Sequence, residues 1–236
     1  MKKFLSVLFV VLFLFSVAAH AEDNVASLRV KAEHGNAEAQ NELGYLYENG
    51  LSGLYKSEAH AFEWYSKGAE NGNADAQHNL ARFFYKGILV SKNYDKAIYW
   101  LERSAAQNHA GAINSLGYMH EEGEGFRVEY KKAFELYVRA EELGNISAQN
   151  NLGHMYASGR YVQRNMNKAL KWWKKAAEHG HPVAQYNLGL MYEHGTVVTK
   201  NTKKALEWYE KSAAQENEKA IKAVKRLKAT RGPKNR

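Results

Sequence analysis

The chain has 236 residues, of which 45% are hydrophobic and 12% aromatic, so it can bury a core and is not a disordered tail. Its formal net charge of +8 is concentrated at the C-terminal end, because residues 219–236 contain eight Lys or Arg and no acidic residue. A basic face that would bind nucleic acid is therefore not expected.

The N-terminal stretch MKKFLSVLFVVLFLFSVAAHA predicts a secretory signal peptide over residues 1–21. Two lysines precede an apolar run at 4–17, and the small residues Ala19 and Ala21 form a cleavage site. We expect cleavage after Ala21 and a periplasmic or secreted protein with no transmembrane segment. An uncleaved anchor is the alternative, although the run is shorter than the roughly 20 residues of a spanning helix. The chain has no cysteine, so helix packing without disulfides must stabilise the exported form.

A repeat of about 36 residues follows. Pairs of leucine with glycine or alanine recur at intervals of 37, 36, 36 and 36 residues, and such a period is typical of stacked helix pairs. These pairs are Leu43-Gly44, Leu80-Ala81, Leu116-Gly117, Leu152-Gly153 and Leu188-Gly189. A second landmark is an alanine with a large apolar residue three positions later: Ala61 and Trp64, Ala97 and Trp100, Ala133 and Leu136, Ala169 and Trp172, Ala205 and Trp208.

Each repeat is predicted to contain two helices. In the first repeat, Ala39, Leu43 and Tyr47 share one helix face, and Gly50 follows as a left-handed cap. The second helix is expected to end at Gly72. The small residue after each leucine is expected to let a Trp or Tyr ring of the second helix lie across the first helix, because a side chain there would hold the helices apart.

The domain organisation follows from this register. We predict five repeats at 37–73, 74–109, 110–145, 146–181 and 182–217. A capping helix precedes them at 22–36, a second capping helix follows at 218–229, and a basic disordered tail occupies 230–236. Lys225 takes the glycine position of the last helix, where it would obstruct another closely packed helix. The predicted fold class is all-α, a solenoid of stacked helix pairs with half-repeats as caps.

The pattern A-x-x-x-L-G-x-x-Y, a glycine, and then K-A-x-x-W-Y-x-K-A-A-x-x-G resembles the Sel-1-like repeat family. The clearest copy is AQNNLGHMYASGRYVQRNMNKALKWWKKAAEHG, and the resemblance covers nearly all of 25–229. It implies a right-handed α-solenoid that serves as an adaptor for other macromolecules. Some cysteine-rich secreted relatives have a disulfide in each repeat and have been linked to penicillin binding. This chain lacks those cysteines, and its third repeat departs from the pattern at Ile113, His120 and Leu136.

Searches for catalytic and metal-binding patterns find none. No serine has a lysine three positions later, and no G-x-S-x-G, P-loop or H-E-x-x-H pattern is present. His154, His179, His181 and His194 raise the alternative of a metal site, but no acidic third ligand lies near the HGH stretch at 179–181. We expect no catalytic residue, no cofactor and no metal, and interpret these histidines as solvated residues at repeat junctions.

The remaining candidate site is a surface on the first helices, which line the concave side of solenoids of this kind. Variable polar and aromatic residues occupy it, a mixture that can bind a protein or peptide partner. The predicted groove residues are Asn41, Tyr45, His78, Arg82, Asn114, Tyr118, Asn150, His154, Tyr186 and Leu190. A solvated face that binds nothing is the alternative.

The sequence therefore predicts an exported, non-enzymatic scaffold or adaptor that binds an unidentified protein or peptide. One alternative, from the cysteine-rich relatives alone, is a hydrolase acting on the cell wall or on β-lactams. A third hypothesis is an anionic-surface binder, in which residues Lys219 to Arg236 dock to the surface. The preferred interpretation of the same residues is a charged cap that keeps the end of the array soluble.

Overall fold

The computed structural model describes residues 24–229, and every regular element in this range is an α-helix. The predicted signal peptide at 1–21 and the predicted tail at 230–236 lie outside the described residues. We number the helices in chain order from α1, whose described part covers 24–33. The others are α2 (Ala37–Asn49), α3 (Glu58–Glu70), α4 (Ala74–Lys86), α5 (Tyr94–Ala106), α6 (Ala110–Glu122), α7 (Tyr130–Glu142), α8 (Ile146–Ser158), α9 (Met166–Glu178), α10 (Pro182–His194), α11 (Thr202–Ala213) and α12 (Glu218–Ala229).

The helices form five pairs, so the predicted all-α solenoid fold is confirmed. The first helices of the pairs are α2, α4, α6, α8 and α10, and the second helices are α3, α5, α7, α9 and α11. Helix α1 precedes the pairs and α12 follows them. Within residues 24–229, no helix is both long enough and apolar enough to cross a membrane.

The helix ends are fixed by short polar and glycine signals. Asn36 ends the α1–α2 turn, and its side chain accepts a hydrogen bond from the backbone N–H of Ala39 at 2.8 Å. Gly50 caps α2 in the left-handed region with φ of 66°. Asn108 follows α5 with φ of 60°, so this asparagine takes the left-handed conformation that glycine adopts after other second helices.

Two compact units divide the chain between residues 112 and 113. In the unit up to 112, the core contains Leu43, Tyr65 and Phe83, which are completely buried. In the unit from 113 onward, Leu152, Met155 and Tyr209 are equally buried. Leucines of first helices and aromatic rings of second helices thus form the core of each unit.

The predicted packing of a Trp or Tyr ring against the small residue is confirmed, and the structure shows which ring it is. The landmark residues three positions after the repeated alanine are Trp64, Trp100, Leu136, Trp172 and Trp208. In the four repeats with glycine at the small position, the ring that meets the glycine lies one position after the landmark, because the crossing of the two helices turns that position inward. Tyr65 faces Gly44, and a β-carbon built on Gly44 would lie 2.6 Å from Cδ1 of Tyr65. Trp100, Trp172 and Trp208 are only half-buried.

Candidate interaction surface

The predicted groove residues all lie on first helices, but they differ in exposure. Tyr45 and Tyr118 are exposed, with 52% and 42% of their surface accessible. Asn150 is buried at 6%, so it does not belong to an open surface as predicted. Its backbone oxygen accepts a hydrogen bond from Nε1 of Trp173 at 3.2 Å, because the bulky indole packs onto α8 at this point. The other predicted residues are half-buried, except for the exposed His154.

In the first unit, an asparagine pair connects neighbouring first helices. Nδ2 of Asn79 donates a hydrogen bond to Oδ1 of Asn41 at 3.1 Å. Tyr45 lies one helical turn after Asn41 on the same face of α2. The structure therefore places an exposed aromatic ring beside a pair of amides.

In the second unit, polar side chains at the corresponding repeat positions again connect neighbouring first helices. Nδ2 of Asn151 donates to Oδ1 of Asn114 at 3.0 Å, and Nδ2 of Asn187 lies 3.4 Å from Nε2 of His154. These asparagines of α8 and α10 were not predicted, although they occupy the position before the repeated leucine in the sequence. Tyr186 packs against the buried ring of Tyr209, with ring centroids 5.5 Å apart. Leu190 packs against the core of this unit.

His78 belongs to a packed cluster at the end of the first unit. Its ring lies 4.8 Å from that of His109, centroid to centroid. Nδ1 of His109 accepts from the backbone N–H of Ala112, and Nε2 of His109 lies 3.0 Å from the carboxylate of Asp75. Burial, with smaller effects of His109 and Arg82, lowers the pKa of His78 to about 4. His78 is therefore neutral at pH 7, and its half-buried ring packs against that of His109.

Arg82 forms an ion pair within the protein. Its Nη2 lies 2.6 Å from both carboxylate oxygens of Glu48, and Glu48 also accepts a hydrogen bond from the hydroxyl of Tyr65 at 2.9 Å. The sequence predicts Arg82 as a groove side chain. The structure gives it a second role, because it joins α4 to α2 through a half-buried carboxylate.

The cluster of Glu48, Tyr65 and Arg82 recurs in the third and fifth repeats, and we call this arrangement the Glu–Tyr–Arg cluster. The other two clusters consist of Glu121, Tyr137 and Arg160, and of Glu193, Tyr209 and Arg226. In the second and fourth repeats, where the ring position holds Leu101 or Trp173, the glutamate position holds Tyr85 or Ala157. The repeats that carry the buried tyrosine therefore also carry the glutamate that accepts a hydrogen bond from its hydroxyl.

The ionisation of these clusters follows from their surroundings. Burial and the adjacent carboxylate raise the pKa of Tyr65, Tyr137 and Tyr209 above the usual tyrosine range, so each hydroxyl remains a donor. The hydrogen bond from Arg226 lowers the pKa of Glu193 below its usual range. Each cluster therefore joins a glutamate and a tyrosine of one repeat to an arginine that follows it in the chain, which lies on α4, in the loop after α8 or on α12.

Within residues 24–229, no group of three or more His, Asp or Glu side chains is arranged to hold a metal ion. The two histidines of the HGH stretch at 179–181 form hydrogen bonds with nearby backbone groups. Nδ1 of His181 accepts from the backbone N–H of Ala184 at 3.3 Å, and Nδ1 of His179 lies 2.8 Å from the backbone oxygen of Lys175. His181 thus caps α10, and its pKa is lowered by burial.

Comparison with known proteins gives matches in one family. The Sel1 repeat family matches the chain five times, at residues 37–73, 74–109, 110–145, 146–181 and 182–217. A search of curated proteins finds no match. The matches cover the five helix pairs described above.

Solved structures show the same fold. A Sel1 repeat protein from Oxalobacter formigenes is 38% identical with a TM-score of 0.71, over 80% of this chain and 75% of that one. A protective antigen with an SLR fold, present in uropathogenic Escherichia coli, is 31% identical with a TM-score of 0.67, over 88% of this chain and 45% of that one. An immunity protein from Pseudomonas aeruginosa is 20% identical with a TM-score of 0.57, over 80% of this chain and 72% of that one, which shows the fold alone.

Proposed function

Because the chain belongs to the Sel1 repeat family, we propose that it is an exported scaffold that binds a protein or peptide partner on its first helices. The Sel1 repeat solenoid generally serves protein–protein interaction and is typically a non-enzymatic scaffold. The proposed binding face is the one that the sequence analysis places on the concave side. Export is proposed from the signal-peptide pattern of residues 1–21, which lie outside the described part of the chain.

The observation that carries this proposal is the pairing of exposed tyrosines with amide groups. Tyr45 and Tyr118 occupy the same repeat position, directly after the small residue, and each lies on a helix that also carries an asparagine in a helix-to-helix hydrogen bond. Tyrosine offers a large rigid ring and a hydroxyl at low entropic cost, which is why it is common at binding hot spots. Asparagine amides can donate to and accept from a partner backbone.

The test compares capture of partners from an envelope extract by wild-type protein and by the double variant Tyr45→Ala and Tyr118→Ala. Both side chains are exposed, so we expect unchanged helicity and stability within about 0.5 kcal/mol. Loss of an aromatic anchor costs about 2 kcal/mol in binding, so capture should fall by roughly 30-fold per anchor. Arg82 is left unchanged because its replacement would also break the Glu48 contact.

A matched control is Tyr99→Ala, since Tyr99 is 48% exposed but lies on the second helix α5. It should retain wild-type capture. Equal capture by wild type and the Tyr45/Tyr118 variant, or an equal loss with Tyr99→Ala, would contradict the proposed face.

A further inference from the structure

The outer side of α9, in the fourth repeat, carries a concentration of lysines. They lie at i, i+3, i+6 and i+7 along one side of the helix, and all four are exposed. Together with two aromatic rings they line a shallow cleft of about 530 Å³, and we call this surface the lysine cleft. The lining residues are Tyr156, Lys168, Lys171, Trp172, Lys174, Lys175 and one acidic residue, Glu178.

The positive charge of the lysine cleft is only partly compensated. Lys174 lies 3.8 Å from Glu178, and Lys175 forms an ion pair with Glu141. The ammonium group of Lys168 lies 5.1 Å from the centre of the Tyr156 ring. Among the described residues, neither Lys168 nor Lys171 has a carboxylate partner. An excess of positive charge therefore faces solvent.

The fold does not require these lysines. Lys171 and Lys174 correspond in repeat register to Glu207 and Glu210 on α11. The equivalent second helix of the fifth repeat therefore forms with acidic residues at both positions. The third repeat has Glu135 at the position of Lys171. The position of Lys175, in contrast, is basic in all five repeats, as Lys67, Arg103, Arg139, Lys175 and Lys211. The two central lysines are thus particular to the fourth repeat, and packing gives no reason for them.

We propose that the lysine cleft docks this unit onto a membrane surface that carries anionic lipid headgroups. Four lysines presented on one side of a helix are attracted by the negative potential of such a surface. Their aliphatic stems and the half-buried Trp172 suit the boundary between headgroups and acyl chains, where tryptophan and snorkelling lysine are favoured.

Two features favour phosphate headgroups over an acidic peptide. The basic side chains that line the lysine cleft are all lysines, and lysine binds phosphate as a compact point charge. Recognition of carboxylates is better served by the planar guanidinium of arginine, which forms two parallel hydrogen bonds. The cleft is also shallow and lies along a helix side, which suits an extended surface better than an inserted side chain.

The test is flotation with vesicles of phosphatidylglycerol and phosphatidylcholine, against vesicles of phosphatidylcholine alone. The full chain is expressed, and the form that the cell exports is purified. Neutral vesicles report any contribution of the N-terminal apolar segment. We expect binding to the anionic vesicles that weakens steeply as salt rises, because the screening length falls from about 10 Å at 0.1 M to 3 Å at 1 M.

The decisive variant is Lys171→Glu with Lys174→Glu, which installs the residues of the fifth repeat at the same positions. Its fold should be retained, and its partition onto anionic vesicles should fall by at least about 30-fold. The reciprocal change, Glu207→Lys with Glu210→Lys, builds a second set of lysines on α11 and should strengthen partition by a similar factor. Within residues 24–229, it removes the exposed ion pair of Glu210 with Lys228.

Removal of residues 230–236 separates the lysine cleft from the basic C-terminal end. Loss of vesicle binding on this truncation, with no change in the Lys171/Lys174 variant, would overturn the proposal. If inorganic phosphate at constant ionic strength displaces the protein from anionic vesicles, the cleft is a site for a small anion and not for a membrane, and the proposal is overturned. Binding of a poly-glutamate peptide without binding of anionic vesicles would assign it to an acidic protein, which equally overturns the proposal.

Discussion

At the scale of single residues, the contact between the small residue and the ring sets how closely the two helices of a repeat approach. Gly44 meets Tyr65 and Gly117 meets Tyr137, and a β-carbon on Gly117 would lie 2.8 Å from the Tyr137 ring. The second repeat carries Ala81 at the glycine position and Leu101 at the ring position. Both are buried, so the smaller leucine leaves space for the alanine methyl.

Gly44→Ala should destabilise the protein by about 1–3 kcal/mol, because the buried Tyr65 ring cannot move without straining its hydrogen bond to Glu48. Adding Tyr65→Leu copies the Ala81 and Leu101 pair of the second repeat. Urea unfolding of both single variants and the double variant forms a double-mutant cycle. We expect the double variant to be less destabilised than the sum of the single variants. Strict additivity would show that the ring does not limit the helix approach.

At the scale of elements, a Glu–Tyr–Arg cluster fastens α12 to the last repeat. Nη1 and Nη2 of Arg226 donate to the carboxylate of Glu193, at 2.5 and 2.8 Å, and the Tyr209 hydroxyl donates to the same carboxylate at 2.7 Å. The apolar contact comes from Ala220 and Leu227, which are buried. Val224 is only partly buried and packs at the edge of this core.

Arg226→Ala should lower the free energy of unfolding by about 1 kcal/mol at pH 7, a modest value because solvent screens the exposed arginine. The pKa of Glu193 is lower in the folded state than in the unfolded state. The stabilisation is therefore complete above the ordinary glutamate pKa and is lost as the pH falls through the lowered value. The difference between wild type and variant should shrink accordingly in unfolding curves recorded from pH 7 to pH 3.

The matched control is Lys228→Ala, whose ion pair with Glu210 is exposed on both sides. It should change stability by less than about 0.5 kcal/mol at any of these pH values. A pH-independent effect of Arg226→Ala would show that its aliphatic stem, and not the ion pair, holds α12.

At the scale of the whole molecule, the repeats are nearly interchangeable at their junctions. Asn145 begins α8 and His181 begins α10, and each accepts a hydrogen bond from the third helical N–H. Pro182 follows His181 at the first helical position, where its missing N–H costs nothing. An α-solenoid is stabilised mainly by contacts between neighbouring repeats, so removal of one repeat leaves a junction of similar chemistry.

Deletion of residues 146–181 should therefore give a shorter, folded helical protein, with some loss of stability because Arg160 no longer pairs with Glu121. Leu152→Asp should be more damaging, since Leu152 is fully buried and the new charge would have no partner. Circular dichroism and thermal melts of the two variants compare these effects. The expectation fails if the deletion variant is unfolded while Leu152→Asp retains the parent melting temperature.

The sequence by itself determined the fold class and the repeat number. The period of the leucine and alanine landmarks, and the asparagines and glycines that begin and end helices, act within a few residues of chain. Such local signals can be read without knowledge of tertiary neighbours. The groove residues were placed on first helices by the same register.

Only the tertiary structure decided how those residues are used. Trp64 and Tyr65 are adjacent in sequence, and the crossing of α2 with α3 selects Tyr65 as the ring that faces Gly44. The partner of Arg82 lies 34 residues away, and Asn150 is buried because the large Trp173 ring covers it. Helix periodicity fixes which side chains share a face, but the contacts between faces depend on the angle and distance at which the helices pack.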